Sequence, residues 1–270
     1  MILIPCFFIV FYVHRLPLSF TAWQIYENNG TAYSGWAVSG CNKHHSIGTS
    51  AKENESAIKT ADTFEGVYCS IGIHVDEDRD KTTESLKQVL LEQLKYTKKI
   101  VAIGECGIDI SEGENSRPLQ DQINLFEMQI QLAIENNLSV IIHNRNGDDT
   151  VVRLLKQYVP QGLRAIAHSF SQSWEYAQQL LSLGAYLSFS GMITYKGRKN
   201  IAEIIQKMPL DRMLIETDAP YLPPEGFRGQ PNEPKNVVAV AQKIAEVRVD
   251  TLEHIALQTY ENTKTIFAVH

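Results

Sequence analysis

Cysteine is scarce: the 270 residues hold only Cys6, Cys41, Cys69 and Cys106, with no CxxC pair among them. That spacing excludes a disulfide-rich scaffold and a structural zinc site, and suits reduced thiols buried in apolar stretches of a cytoplasmic protein. Positive charge is also in deficit, since 25 Lys and Arg against 31 Asp and Glu leave a net charge of −6. Such a chain lacks the basic coat that grips duplex DNA through many phosphate contacts. A phosphate substrate stays open to it, because a bound metal ion brings positive charge of its own. No apolar run reaches the ~20 residues of a membrane-spanning helix, so no stable membrane association is expected. The apolar start, MILIPCFFIVFYV over residues 1–13, is interrupted by Pro5. No basic residues precede it and no clean small-residue cleavage site follows, so it reads as a buried strand rather than a secretory segment. Internal repeats, low-complexity tracts and linkers are absent too, which points to one domain over residues 1–270 and to a monomer.

What is present is an alternation. Apolar β-type runs at 2–13, 35–41, 67–74, 100–106, 138–143, 163–168, 185–190 and 212–218 are separated by amphipathic stretches. Strands that read as continuous apolar runs are buried on both faces, as in a parallel sheet. Residues 116–137 place Leu119, Ile123, Phe126, Ile130 and Ile134 at helical spacing, with Pro118 suited to a first turn. The stretches 82–99, 147–158, 172–183, 198–208, 233–247 and 250–266 read the same way, and 50–65 more weakly. Eight strands in this length fit a TIM-type (β/α)8 barrel better than an open doubly wound sheet. The barrel is expected to be distorted or incomplete at its first strand.

In such a barrel every strand ends on one face, where the active site is built. Glu105, His143, His168 and Asp218 each stand at a predicted strand end. Two imidazoles and two carboxylates converging there suit a divalent ion that keeps positions open for water and substrate. A single histidine after a β run is more often a hydrogen-bonded rim residue, so the weight lies on the joint placement. Arg145, and Arg228 in the Gly- and Pro-rich loop 222–234, are candidates for binding phosphate oxygens. His74 closes the third run and can contact substrate or leaving group. The pair His44 and His45 falls in a polar loop and reads as solvated.

These motifs are similar to those of a known family. Val101-Ala102-Ile103-Gly104-Glu105-Cys106-Gly107-Ile108-Asp109 resembles the GECGLD signature of the TatD family of metal-dependent deoxyribonucleases. Ile142-His143-Asn144-Arg145 resembles its IHxR segment, His168-Ser169-Phe170-Ser171 its HxFS segment, and Gly72-Ile73-His74 its GIHP segment. Glu216 to Leu222, followed by Arg228 to Pro234, resembles its ETDSPYL…RGxxNEP run. The resemblance spans roughly residues 65–265. It implies hydrolysis of phosphodiester bonds in single-stranded or end-accessible DNA with one or two divalent cations (Mg²⁺, Mn²⁺ or Zn²⁺). It further implies that Glu105, His143, His168 and Asp218 are metal ligands, with Glu105 able to bridge two ions. Asp218 and Glu105 are then the catalytic candidates, Asp218 as acceptor of the proton from a metal-activated water; His74, Arg145 and Arg228 are the substrate-binding ones.

One departure stands out. The family opens with a His-x-His pair at the end of its first strand, whereas residues 1–40 here contain only His14. That leaves two alternatives beside the nuclease: an amide, ester or lactone hydrolase on the same type of barrel, and a catalytically impaired homologue with a binding role.

Overall fold

The runs of Val, Ile, Leu and Ala between helices become strands because each is covered on one side by helices and on the other by the barrel interior. The computed structural model describes residues 7–11, 43–111 and 117–269. Within these, β1 (Phe7–Phe11), β2 (Lys43–Ile47), β3 (Val67–Ile71), β4 (Ile100–Asp109), β5 (Ser139–Arg145), β6 (Arg164–Ala167), β7 (Tyr186–Phe189) and β8 (Met213–Thr217) pair in sequence order. All are parallel, and β8 returns to β1 in the register Ile9↔Glu216 and Val10↔Thr217, which closes the barrel. The expected first strand is therefore part of the barrel wall. His14 and Pro5 lie outside the described residues.

Eight helices pack around the strands among the described residues: α1 (Ala51–Thr63), α2 (Thr83–Gln93), α3 (Leu119–Glu135), α4 (Asp148–Tyr158), α5 (Trp174–Ser182), α6 (Lys199–Lys207), α7 (Val237–Arg248) and α8 (Leu252–Phe267). Ser50, Thr82, Ser173 and Thr251 start four of them, each side-chain oxygen accepting a backbone N–H three residues on. Each such cap contributes about 1 kcal/mol. Helix α3 buries Leu125, Phe126, Ile130 and Leu132 against the strands. It also buries two glutamines that hold the barrel mouth in place. Gln129 pairs with both backbone groups of Ile73, at 2.8 and 3.0 Å, and Gln122 with both backbone groups of Asp109, at 2.9 Å each. A helix thereby fixes the backbone beside His74 and at the end of β4.

Two readings need correction, and a third falls outside the described residues. The run 35–41 lies outside the described residues, and the strand between β1 and β3 is Lys43–Ile47. His44 and His45 consequently sit on a barrel strand and are buried, not solvated in a loop. Strand β4 runs on past Cys106 to Asp109, because the irregularity at Gly104 shifts its register without ending it.

A second cluster, in the barrel interior, is formed by Ile47, Val101, Ile141, Ile166, Tyr186 and Leu214, together with Ile266 and Phe267 from the end of α8 and Val269 just beyond it. The chain's last helix thus plugs the floor, and Ser139 donates its hydroxyl proton to the Ile266 carbonyl there. His45 packs edge-on against Phe267, ring centroids 4.7 Å apart. Burial pushes its pKa down to about 3, against a smaller upward pull from a backbone hydrogen bond at Cys69. In the unfolded chain the same ring titrates near 6.5. The unfolded state therefore takes up the proton first as pH falls, and stability present above pH 6.5 is lost towards pH 3. The stability gap between this chain and His45→Leu should shift against the native chain by about 3 kcal/mol between pH 7 and pH 4. Urea unfolding of both proteins at the two pH values measures it, and parallel losses would show that His45 is not held neutral.

Candidate metal centre

The mouth of the barrel is shaped first by two glycines of β4. Gly104 and Gly107 hold φ values of +137° and +152°, open to glycine alone. A Cβ would stand 2.5 Å from the Ile141 carbonyl oxygen at Gly104, and 1.9 Å from that of His143 at Gly107. Only bare backbone lets β4 slip its register against β5 between Ile103 and Cys106, and the slipped segment presents Glu105 to the cavity.

Glu105 then lies between two histidines. Its Oε1 is 3.0 Å from Nδ1 of His143 and 3.9 Å from Nε2 of His168. Asp218, just beyond β8, places Oδ1 3.5 Å from the same His168 Nε2. That Oδ1 is buried and accepts no hydrogen bond among the described residues, while Oδ2 accepts one from the Ser169 hydroxyl at 3.1 Å. His74 stands edge-on to His143, ring centroids 4.5 Å apart, and its Nδ1 accepts the backbone N–H of Asp76 at 3.3 Å. The four expected ligands, with His74 and Arg145, line one cavity of about 890 Å³.

Burial and charge pull against each other here. Burial raises the Glu105 carboxyl, yet His168, His143 and His74 outweigh it and bring the pKa down to about 2. Burial lowers His143, but Asp109 and Glu105 lift it to about 9; burial lowers His168, but Glu216, Glu105 and Asp218 lift it to about 10. For Asp218, burial raises the pKa to about 6, helped by Glu216 and Glu105 and opposed by His168. Burial lowers His74, which favours its neutral ring. Two imidazoles, two carboxylates and one carboxylate oxygen without a hydrogen bond form a donor set that fits a divalent cation.

Some residues of this site were not anticipated. Asp109, at the end of β4, has Oδ2 3.0 Å from His143 Nε2. Glu216 lies on β8 two residues before Asp218, and its Oε1 is 2.8 Å from His168 Nδ1. The two-residue spacing of Glu216 and Asp218 was a signal that both face inward. Asp109 was hidden by placing the end of β4 too early. Arg198 lines the cavity whereas Arg228 does not: the Arg228 guanidinium lies over the Tyr195 ring at 4.8 Å, on the rim loop. Within that loop Asn232 donates to the carbonyls of Tyr221 and Leu222 at 2.9 and 3.3 Å, and Tyr195 donates to that of Pro223 at 2.8 Å. The RGxxNEP-like segment thus holds the rim in shape.

The family model of the TatD-related DNases matches residues 21–268. The chain belongs to this TatD-related DNase family. Among its relatives is an uncharacterized metal-dependent hydrolase of Bacillus subtilis, YabD, 39% identical over 214 residues that cover 79% of this chain and 82% of the relative. The 3′-5′ ssDNA/RNA exonuclease TatD of Shigella flexneri is 29% identical over 82% of this chain and 86% of its own. The crystal structure of YjjV, a TatD homologue from Escherichia coli K12, superposes with a TM-score of 0.83 at 29% identity, covering 97% of this chain and 98% of that one. The chain is a TatD-family metal-dependent hydrolase on a TIM-type barrel. Among the described residues no helix is long and apolar enough to cross a membrane.

A donor set of this kind should make stability depend on metal. Mn²⁺ at about a hundred times its Kd should add about 2.7 kcal/mol to the chelated protein. Glu105→Gln should lose most of that gain, because the charge between the two histidines is gone. Thermal melts with and without Mn²⁺ check both, and an equal gain in the variant would remove Glu105 from the site.

Proposed function

We propose that this TatD-family chain hydrolyses phosphodiester bonds of single-stranded DNA from an accessible end, with one or two divalent ions held by Glu105, His143, His168 and Asp218. The observation that carries this reading is Glu105 Oε1 lying within 3.0 and 3.9 Å of two histidines on the floor of an open cavity. A divalent ion bound there supplies positive charge that acidifies a water and neutralises phosphate oxygens.

The chain's own groups supply the rest. A water attacking phosphorus must lose a proton as the bond to the leaving oxygen breaks. Asp218 Oδ1, buried and with no hydrogen bond of its own among the described residues, is suited to accept that proton. His74 accepts the Asp76 N–H at Nδ1, so its neutral ring carries the proton at Nε2 and is a donor for a phosphate oxygen. Arg145 and Arg198, both lining the cavity, can hold flanking phosphates bidentately. For Arg228 we propose a contact with substrate further out on the rim, beside Tyr195.

Preference for a single strand is supported by the rim. Tyr221 and Leu222 line the cavity and leave 38% and 40% of their surface exposed, apolar faces on which unpaired bases can stack. The acidic balance of the chain argues in the same direction, since it offers little for duplex binding. The buried free thiols of Cys69 and Cys106 fit a cytoplasmic setting, and we propose that the chain acts there as a monomer.

The test uses end-labelled single-stranded and duplex DNA. Single strands should be shortened stepwise from one end, faster than duplex; chelator should abolish the activity and Mg²⁺ or Mn²⁺ restore it. Glu105→Ala should cost more activity than His143→Ala or His168→Ala, because it serves both histidine sides of the site. Hydrolysis of esters, amides or lactones with no action on DNA, or full activity in excess chelator, would overturn the reading.

A further inference from the structure

We infer that Asp76, with Glu77 beside it, makes the site select a strand end that carries a free hydroxyl and reject one that carries a terminal phosphate. The inference rests on the nuclease reading above and adds to it the end chemistry that the cavity accepts.

Charge is divided across the mouth. The Arg and Lys side chains lining the cavity among the described residues are Arg145, at the end of β5, and Arg198, after β7. Tyr221 and Leu222, after β8, add apolar faces beside Arg198. Asp76 and Glu77 also line the cavity, but they follow β3, which stands opposite β7 in the closed ring of eight strands. A strand whose phosphates lie along the arginines, with its scissile phosphate at the metal centre, therefore runs towards this acidic corner. Asp76 Oδ2 is 4.0 Å from His74 Nδ1, and the His74 ring meets that of His143 at 4.5 Å between centroids. The corner thus stands one side chain out from the metal centre, where the last nucleotide of a bound strand would lie.

Three helices hold the corner in shape. The Glu77 N–H donates to the His74 carbonyl at 3.1 Å. Arg117, just before α3, donates to the carbonyls of Glu77 and Asp78 at 2.8 Å each. Asp78 accepts the N–H of Ala51, the first residue of α1, at 2.8 Å and pairs with Lys81, just before α2, at 2.7 Å. Lys81 and Arg117 are thereby directed at Asp78 and at backbone, and neither lines the cavity.

A carboxylate accepts a hydrogen bond from a hydroxyl and repels a phosphate in the same place, as the acidic residue on the ribose of dinucleotide-binding sites does. A strand that stops at the corner with a hydroxyl gives Asp76 a donor. A strand that ends in a phosphate, or runs on past the corner, sets further negative charge against the two carboxylates. The repulsive element confers the preference, and it favours cutting at an end over cutting within a strand.

The test offers one internally labelled single-stranded DNA sequence to the Mn²⁺-loaded chain, with hydroxyls at both ends, with a 3′-phosphate or with a 5′-phosphate. At the end that is attacked, the phosphate should lower kcat/KM by about tenfold, the scale of a like-charge clash that water partly screens. The preference should shrink as salt is raised. Asp76→Asn, and further Asp76→Asn combined with Glu77→Gln, should bring the hydroxyl-to-phosphate ratio of kcat/KM towards one. That ratio is taken within one preparation, so loss of folded protein does not move it, and a merely structural role would lower both rates together. Equal kcat/KM for all three strands in the native chain, or an unchanged ratio in the double variant, would overturn the end selection and leave the nuclease reading standing. The native ratio and its salt dependence decide even where neither variant folds. No shortening of any of the three strands by the native chain would overturn the nuclease reading itself, and this inference with it.

Discussion

Glu105, Asp109, Glu216 and Asp218 are all buried in one barrel mouth, and removing that much like charge from water is costly unless cations and hydrogen bonds answer it. The surroundings supply both. His143 and His168 stand between the carboxylates, and Ser111, Ser169 and Ser188 donate to those lying outermost. The balance still falls on the negative side. A site of this sort is strained towards taking up positive charge, which is what a metallohydrolase needs at rest, and the barrel scaffold bears the cost. Helix α3 contributes directly through Gln122 and Gln129, two polar residues on a face that would otherwise be wholly apolar.

Much of this was legible in the sequence. Parallel barrel strands are buried on both faces, so β3 to β8 appear as apolar runs, four of them with a ligand-type side chain at or near the end of the run. Glu105, His143, His168 and Asp218 could be placed for that reason. Strand β2 could not, since Lys43-His44-His45-Ser46 looks like a turn until Phe267 arrives from the far end of the chain to cover it. No local pattern reveals a partner more than two hundred residues away. Asp109 was obscured by glycine, which punctuates most strands but here lets β4 continue past a bulge. Arg198 gave no signal, since its place in the cavity follows from the path of the chain after β7.

The rim shows a division of labour inside a single motif. Asp218 works at the floor, whereas Asn232, fourteen residues later, ties down the carbonyls of Tyr221 and Leu222. A residue pattern shared across a family therefore does not mean that every member of the pattern touches substrate. Some of it is carpentry for the rest, and Arg228 lying over Tyr195 belongs in part to that carpentry.

The seam of the barrel has a consequence for how the protein comes into being. Ile9 on β1 is in register with Glu216 on β8, the carboxylate behind His168. A ribosome would deliver the first of these early and the second late, and the floor plug that meets Ser139 across 127 residues of chain later still. Contacts so distant in sequence form slowly, because a long loop must close first. The chemistry of the mouth is thus withheld from the nascent chain: Asp218 can join His168 only once β8 has been made. A hydrolase assembled in this order has no completed site while it is still being made.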